Sequence, residues 1–401
     1  MFFAGVDWAD DHHDVAIVDQ GGRLVGSTRV PHSPAGLAEL RAFLLGIAGD
    51  PAEVPCFVET NHGLLVSSLL EGGFPVYPVN PKTVDRHRKS SGAKTDQIDA
   101  YILARTGRSD LADLRRLEPD SPIVQELKAL TRDQDTLIQS QTRLVNQLTA
   151  CLKAYYPAAL ELFCKLQQPS TLAFLEAYPT PEAALGADIE DIAALLKRNA
   201  HPQPNRTAER IMLKIREPHL KADTITVRTK ARLMLALVSQ LAPLLDQIKA
   251  YDREIDRLFR SHPDSELFSS LPGAGKRLAP RLLAGWGDDR SRYASAASIQ
   301  ALAGTSPVAY QSGNYRKVHK RHGCVKILRN VLHQFAWEST KEPWAEAYYR
   351  RKRAEGKSHS MALRALANIW VRIIYAMWLK HEPYEASTFL AAQQAHAREA
   401  A

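Results

Sequence analysis

The sequence contains few cysteines and no long uninterrupted apolar run. Only four cysteines occur in 401 residues, and they form no Cys-x-x-Cys pair and no zinc-like spacing. This pattern indicates reduced thiols and excludes a disulfide framework. The most apolar late stretch, 361–379, is interrupted by Arg364 and Arg372, so we expect an amphipathic helix there and no membrane span. Asp7 precedes any apolar core of signal-peptide length, and we therefore expect a cytoplasmic protein.

Charge is distributed unevenly along the chain. Residues 1–120 carry 12 basic and 17 acidic side chains, whereas residues 265–401 carry 21 basic and 10 acidic ones. This segregation suits chemistry on a polyanion, because cations bound by the acidic part can hold a reacting phosphate while Lys and Arg follow the backbone. A solvated basic surface would explain the net charge of +8 but not its segregation.

Short apolar runs near the N-terminus predict an α/β domain. The predicted strands cover residues 2–6, 15–18, 24–30, 54–58 and 76–79, and the first three follow one another as a meander. Helical spacing then predicts a helix before and after the fourth strand, and a capped helix over 95–104.

Four acidic residues fall at the ends of these predicted elements. Asp7 and Glu59 each close a strand, and Asp96 and Asp99 lie three residues apart on one helix face. Two carboxylates so placed repel each other unless a cation lies between them. An all-oxygen set with no nearby Cys or His cluster favours Mg²⁺ or Mn²⁺, and two such ions about 4 Å apart can clamp the reacting oxygens of a phosphodiester.

The alternative is that each acid is an ordinary surface carboxylate. A strand-end Asp often belongs to a loop, and Asp96 would interact favourably with a helix dipole without any metal. Three further acids near Asp7, namely Asp10, Asp11 and Asp14, are predicted to be solvated turn residues.

The middle of the chain is predicted to be helical. Apolar residues in an alternating four-three spacing over 123–155 and 234–258 predict a coiled-coil seam, with Gln134 and Gln141 as polar interruptions. Pro243 is predicted to kink or break the second helix. A proline-rich segment between the two predicts short helices joined by turns. The spacing leaves open whether the seams pair as an antiparallel hairpin within one chain or between protomers.

The C-terminal region contains two informative motifs. Gly273, Gly275 and Lys276 precede an apolar helix, as in a helix-hairpin-helix, in which glycines let backbone N–H groups meet a phosphate. A plain helix-helix turn is the alternative. Further on, the segment that begins at Gly304 leads to the step Ser312-Gly313 and then to a basic run.

These motifs together resemble a known family. The acids in the contexts Gly-Val-Asp, Val-Glu-Thr and Lys-Thr-Asp-Gln-Ile-Asp-Ala, with the step Gly-x-x-Pro-x-x-x-x-Ser-Gly, resemble the DEDD insertion-sequence transposases of the one-ten family, which are bridge-RNA-guided recombinases. The resemblance covers nearly the whole chain. The sequence departs from the family pattern at Cys324, where similar sequences commonly have Asn, and at Thr305-Ser306, which replaces a more apolar pair.

The resemblance implies an α/β plus all-α architecture in four parts. Residues 1–118 would form an RNase H-like (RuvC-like) metal-binding domain, and 119–262 a helical coiled-coil domain with a proline-rich tip. Residues 263–385 would form a mostly helical transposase domain with a helix-hairpin-helix-like element, followed by a flexible tail over 386–401.

The resemblance also implies a chemistry. Ser312 would attack DNA and become transiently bonded to it, while Asp7, Glu59, Asp96 and Asp99 hold Mg²⁺ or Mn²⁺. The partners would be donor and target DNA and a guide RNA, and the protein would act at the bacterial nucleoid as a homo-oligomer, from dimer to tetramer. A RuvC-like nuclease that uses metal-activated water, or a non-catalytic nucleic-acid-binding protein, remains as an alternative.

Basic and glycine-rich positions are predicted to contact nucleic acid, with solvated loops as the alternative. They are Lys82, Arg86, Arg88, Lys89, Lys94, Gly273, Gly275, Lys276, Arg316, Lys317, Lys320, Arg321, Lys326 and Arg329.

Overall fold

A computed structural model describes residues 1–88, 95–313 and 315–391, without the side chains of residues 86–88. The chain forms two compact units, Met1–Pro119 and Asp120–Ala401. The finer division of the second unit at residue 262 stays a prediction.

The first unit is built on a five-stranded mixed sheet. Its order is β3-β2-β1-β4-β5, in which β1, β2 and β3 are antiparallel neighbours and β4 and β5 run parallel to β1. The predicted α/β character of this region is therefore confirmed. The strands are β1 (Phe3–Trp8), β2 (His12–Val18), β3 (Leu24–Pro31), β4 (Cys56–Val58) and β5 (Val76–Pro78), and the helices are α1 (Pro34–Ala48), α2 (Leu64–Glu71), α3 (Pro81–Arg88) and α4 (Asp96–Asp110).

Helix α4 packs directly on the central strand β1. A Cβ atom at Gly5 would lie 2.0 Å from the carbonyl oxygen of Ala100 and 2.4 Å from the backbone nitrogen of Ala104, so only glycine allows this approach. The helix begins after Thr95, whose hydroxyl accepts a hydrogen bond from the backbone N–H of Ile98 at 3.2 Å. The cap and the close packing together fix where the first turn of α4 lies relative to β1.

Two long helices form the spine of the second unit, α5 (Pro122–Tyr155) and α11 (Thr224–Ser261). They pack antiparallel within the chain: Gln134 Nε2 donates to the Ile248 carbonyl oxygen at 3.3 Å, and the Cys151 thiol donates to the carbonyl oxygen of Lys230 at 3.3 Å. The structure thus shows intramolecular pairing of the two predicted seams. The predicted break at Pro243 is wrong, because α11 continues through it.

The buried Gln134 joins three helices of the second unit. Its amide donates to Asp252 Oδ1 of α11 at 2.6 Å, and its carbonyl oxygen accepts from Arg281 Nη2 at 2.5 Å. Arg281 lies on α13 (Gly275–Trp286) and also reaches Asp135 Oδ1 at 3.1 Å. Because these polar groups are satisfied by one another, they fix the register of the helices instead of destabilising the core.

The predicted short helices between the spine helices are present. Proline occupies the first turn of three of them, where its missing N–H costs no hydrogen bond. They are α6 (Ala159–Leu162), α7 (Pro169–Ala177), α8 (Pro181–Leu185), α9 (Ile189–Arg198) and α10 (Pro204–Arg216), and they share one apolar core with the adjoining ends of α5 and α11.

The C-terminal part is mostly helical, with a single hairpin among its described residues. Its elements, besides α13, are α12 (Ser265–Ser269), α14 (Ala296–Leu302), β6 (Val308–Ser312), β7 (Tyr315–His319), α15 (Lys326–Glu338), α16 (Pro343–Ala354) and α17 (His359–Lys380). Its core contains the fully buried side chains of Trp286, Trp370 and Trp378. The predicted tail begins with a helical stretch over 386–391, in which the Phe389 ring lies 4.4 Å from that of Trp344.

Two helices of the described chain, α11 and α17, are long and apolar enough to cross a membrane by length and composition. Helix α17 buries Trp370, Ile374 and Trp378 in the core, and α11 packs along α5. Both helices therefore serve as core helices, as predicted for α17.

Replacing Gly5 by alanine should strongly destabilise the first unit. The added methyl group would overlap the α4 backbone, and overpacking of this kind costs about 1–3 kcal/mol or more. Chemical denaturation would measure the loss. Gly46→Ala is the matched control, because a Cβ there meets no atom within 4 Å and alanine favours helix α1. Equal stability of the two variants would contradict close packing at Gly5.

Candidate catalytic and nucleic-acid-binding sites

The predicted acids converge on Asp7 at the end of β1. Burial, followed by the negative charges of Asp99, Glu59 and Asp96 in that order, raises the pKa of Asp7 to about 6. Glu59 directly follows β4, the parallel neighbour of β1, and the two aspartates lie in the first turn of α4. The sheet and the helix therefore bring all four predicted residues into one electrostatic site.

A fifth acid, Asp14, also belongs to this site, and its prediction as a solvated turn residue is wrong. Asp14 lies in β2 directly opposite Asp7 in the antiparallel register, and it is 1% exposed. Its charge contributes to the raised pKa of Asp7. Asp10 and Asp11, in contrast, lie exposed between the two strands, as predicted.

His12 and Arg29 surround the outer part of the site. Arg29 donates to Asp14 through Nη2 at 2.8 Å and Nε at 3.2 Å, and its Nη2 lies 3.7 Å from Asp96 Oδ2. His12 Nε2 lies 3.4 Å from an oxygen of Asp14 and 3.4 Å from one of Asp96. The sequence predicted an all-oxygen ligand set with no Cys or His cluster nearby, and the structure adds one imidazole, that of His12, beside two of the acids.

The most compact group of potential metal ligands differs from the predicted set of four acids. In the described part of the chain, the potential metal-binding group with atoms all within 4.8 Å of one another is His12, Asp14 and Asp96. The guanidinium of Arg29 already contacts both of these aspartates, so a cation there would compete with Arg29. Asp7, Glu59, Asp96 and Asp99 share the site's charge without forming a cluster of that tightness.

The donor chemistry of the site fits a hard divalent cation. Asp99, Glu59, Asp96 and Asp14 raise the pKa of Asp7 because their negative charges repel its carboxylate. A positive ion among them would relieve this repulsion. Carboxylate oxygens are the ligands that Mg²⁺ and Mn²⁺ prefer. Asp7, Glu59, Asp96 and Asp99 are the residues that would hold such an ion.

Ser312 lies in the second unit, at the end of strand β6 in an exposed hairpin. It pairs with Tyr315 of β7, and Gly313 takes a φ of +55° in the turn. Its side chain is exposed, and within residues 1–88, 95–313 and 315–391 no group hydrogen-bonds to its hydroxyl. The hairpin was not predicted from the sequence, which gave only the Ser-Gly step.

The predicted nucleic-acid contacts of the second unit lie on its surface. Arg316, Lys317, Lys320 and Lys326 are exposed on and after the hairpin, and Arg321 and Arg329 are half-buried. In the first unit Lys82 is exposed on α3, whereas Lys89, Lys94 and the side chains of Arg86 and Arg88 lie outside the described residues.

An open groove runs between α5, the start of α13 and α15. Gly273 and Gly275 both take positive φ, 79° and 54°, in the turn between α12 and α13. A Cβ at Gly275 would meet no atom within 4 Å, so the backbone is accessible there. The groove is lined by this turn and by side chains that include Arg132, Lys276, Arg277, Asn330, Gln334 and Trp337.

Two family models match the chain. One describes a transposase of the DEDD type and matches residues 4–157, which contain the whole acidic site. The other describes the IS116/IS110/IS902 family of transposases and matches residues 265–350, which contain Ser312. A curated relative, the mini-circle putative transposase for IS117 of Streptomyces coelicolor, is 34% identical over 91% of each chain. This chain belongs to the IS110 family of transposases.

Members of the IS110 family are enzymes that cleave and rejoin DNA strands. A second relative, an uncharacterized 42 kDa protein of insertion element IS900 from Mycobacterium paratuberculosis, is 30% identical over 97% of this chain and 98% of its own. A solved structure, T. thermophilus RuvC in complex with a Holliday junction substrate, matches 29% of this chain and 99% of its own at 19% identity, with a TM-score of 0.22. That score is too low to support a statement about the fold.

Replacing Asp7 by asparagine should stabilise the metal-free IS110-family protein above about pH 6. The pKa of Asp7 is higher in the folded than in the unfolded protein. The contribution of Asp7 to stability is therefore complete below about pH 4 and is lost as the pH rises through about 6. We expect a gain of roughly 1 kcal/mol at about pH 7.5, a figure that allows for solvent screening of this half-exposed group.

Urea denaturation in the presence of a chelator would measure this gain. Asp10→Asn, which removes an exposed acid from the same strand connection, should change little. Excess MgCl₂ should raise the melting temperature of the wild type more than that of Asp7→Asn. A loss of stability in metal-free Asp7→Asn would contradict the repulsion inferred at this site.

Proposed function

We propose that this transposase moves an insertion sequence by attack of Ser312 on a DNA phosphodiester, with a divalent cation held by Asp7, Glu59, Asp96 and Asp99. The observation that supports this most is the convergence of four acids at the end of β1, where burial and the charges of the other three raise the pKa of Asp7. Three acids, dispersed with Asp7 over 93 positions of sequence, thus act on its carboxylate.

The serine step balances as a transesterification. The Ser312 Oγ forms a bond to phosphorus while the bond from phosphorus to one deoxyribose oxygen breaks. The hydroxyl proton leaves Oγ, and the departing sugar oxygen gains a proton. Rejoining is the reverse reaction, in which a deoxyribose hydroxyl of another strand attacks the phosphoserine and Ser312 regains its proton. No cofactor is consumed.

Activation of Ser312 has to come from elsewhere in the protein. A serine hydroxyl is a weak nucleophile until a base or cation assists it, and no base contacts Ser312 in the described chain. When bound, Mg²⁺ or Mn²⁺ supplies Lewis-acid stabilisation of the charge on the phosphate. The carboxylates of the first unit would hold that ion, and Asp14, held by Arg29, would orient Asp96 through the contacts of Arg29 and His12.

The finer architecture supports this activity. The order β3-β2-β1-β4-β5, with acids at the ends of β1 and β4, supports an RNase H-like (RuvC-like) first domain. The antiparallel packing of α5 and α11 supports a coiled-coil middle domain. The four-part division at residues 118, 262 and 385 belongs to the same proposal.

Nucleic acid is the partner that the basic surface fits. The exposed cations of the β6–β7 hairpin and the groove beside Gly275 would contact donor and target DNA and a guide RNA through their phosphates. Base pairing to the guide would then carry sequence specificity, while the protein holds the backbones. We place this activity in the bacterial cytoplasm, at the nucleoid, in a homo-oligomer between dimer and tetramer, so that the acids and the serine of different protomers can act together.

Two substitutions separate this proposal from its alternatives. Ser312→Ala and Asp96→Ala should each lower strand exchange by at least about a thousandfold, because the first removes the nucleophile and the second a metal ligand. Trapping with denaturant should recover a protein-DNA adduct from the wild type and none from Ser312→Ala. Ser306→Ala, a nearby half-buried hydroxyl, is the matched control and should keep the adduct.

A metal-dependent nuclease that uses water would lose activity in Asp96→Ala but keep it in Ser312→Ala. A non-catalytic binding protein would show no cleavage in any variant. Normal strand exchange by Ser312→Ala would rule out the serine mechanism.

A further inference from the structure

Two arginines and a histidine lie where α15 packs against α17, outside the residues used above for catalysis. Arg329 and His333 lie one turn apart on α15, and Arg364 lies on α17. All three are half-buried. The cluster lies near the base of the β6–β7 hairpin, because Arg329 Nη1 is 3.6 Å from the Sγ atom of Cys324.

The cluster contains two arginine charges and no carboxylate partner. Across the described residues, none of the three side chains forms an ion pair, and Nε of Arg364 and Nε2 of His333 are buried without a hydrogen-bond partner. Burial, together with the charges of Arg364, Arg329, Lys320 and His359, lowers the pKa of His333 to about 4, so this imidazole is neutral near pH 7. Burial and Arg329 likewise lower the pKa of Arg364.

Other arginines of this unit that are buried or half-buried pair with carboxylates. Arg281 is paired with Asp135 at 3.1 Å, Arg290 with Asp264 at 2.6 Å, and Arg292 with Asp120 at 2.5 Å. Pairing is the usual condition for burial of a charge, since an unpaired buried cation is strongly destabilising. Each of these three arginines has a carboxylate partner, whereas Arg364 has none among the described residues. An anion bound from outside the chain would supply the missing negative charge.

We propose that Arg329, His333 and Arg364 bind a backbone phosphate of a nucleic acid strand, a site that rests on the proposed function and extends it. Two guanidinium groups can each donate a fork of hydrogen bonds to phosphate oxygens, a geometry that lysine cannot supply. A phosphodiester presents two such oxygens and one negative charge, which offsets part of the repulsion between the two guanidinium groups, and the neutral imidazole of His333 can donate one further hydrogen bond.

An exposed aromatic side chain lies next to the proposed phosphate site. Trp337 follows His333 by one further helical turn and is 48% exposed. Its ring lies 5.2 Å from that of His359 and 5.8 Å from that of Tyr349. Trp337 also borders the groove beside Gly275. An unpaired base next to the bound phosphate would stack on this indole, as bases do in single-strand binding proteins.

The test measures binding and not strand exchange. Fluorescein-labelled single strands of DNA and RNA with the same sequence are titrated with the full chain in buffer that contains a chelator. Arg329→Gln and Arg364→Gln should each weaken binding by about tenfold, the scale of a lost charge-assisted hydrogen bond. The slope of log Kd against log salt should fall by about 0.7 for a lost phosphate contact.

Arg206→Gln is the matched control, because it removes one exposed charge from α10 in the other core of this unit. It should change binding by less than about twofold, within the screened effect of a remote surface charge. If Arg364→Gln weakens binding no more than this control does, the proposal is overturned. A loss with both strands supports a shared phosphate site, and a loss with one strand assigns the site to that nucleic acid.

Thermal melting distinguishes binding from a structural role. Removal of one of the two unpaired guanidinium charges should leave the melting temperature of Arg364→Gln equal to that of the wild type or raise it. A lower melting temperature with unchanged binding would show a structural role and contradict the site. The binding assay contains a chelator and measures no cleavage, so its result does not depend on the role of Ser312. A failure of the proposed serine mechanism would therefore leave the interpretation of this binding measurement unchanged.

Discussion

The close contact between α4 and β1 is the constraint on which the first unit depends. Without a side chain at Gly5, the helix backbone reaches the strand, and its capped first turn comes to lie beside the strand's carboxyl end. Charge repulsion among the acids opposes this arrangement, since each carboxylate would be better solvated alone. The packing of the helix on the sheet therefore keeps the acids close together despite their mutual repulsion. If this is the catalytic site proposed above, its function is obtained at a cost in stability, as is common at catalytic sites.

How much of this could be predicted from the sequence depends on the range of the interactions involved. Asp7, Glu59, Asp96 and Asp99 were predictable because each follows a local signal, the end of an apolar run or a Thr cap. Asp14 was not, because its burial depends on the register of β1 against β2 and not on its neighbours in sequence. A pairing of the two strands across residues 9–11 would have placed it opposite Asp7.

Long-range packing also decided the features that the sequence left open in the second unit. The seam spacing predicted two long helices but not their partner, and hydrogen bonds of Gln134 show that they pair within the chain. Pro243 remained compatible with a continuous helix, because a single proline removes one backbone donor, and the surrounding 38-residue helix stays intact. The hairpin at Ser312 was missed because its strands are only five residues long and lack a buried apolar face.

That hairpin has almost no hydrophobic anchor. Apart from a half-buried Val308, every described residue of its two strands is exposed, and an isolated pair of strands is only marginally stable in water. Its few internal contacts leave its shape dependent on what packs against it. If Ser312 is the nucleophile proposed above, a nucleic acid docked on the hairpin would order this segment, and the serine hydroxyl would be poorly oriented for attack until then.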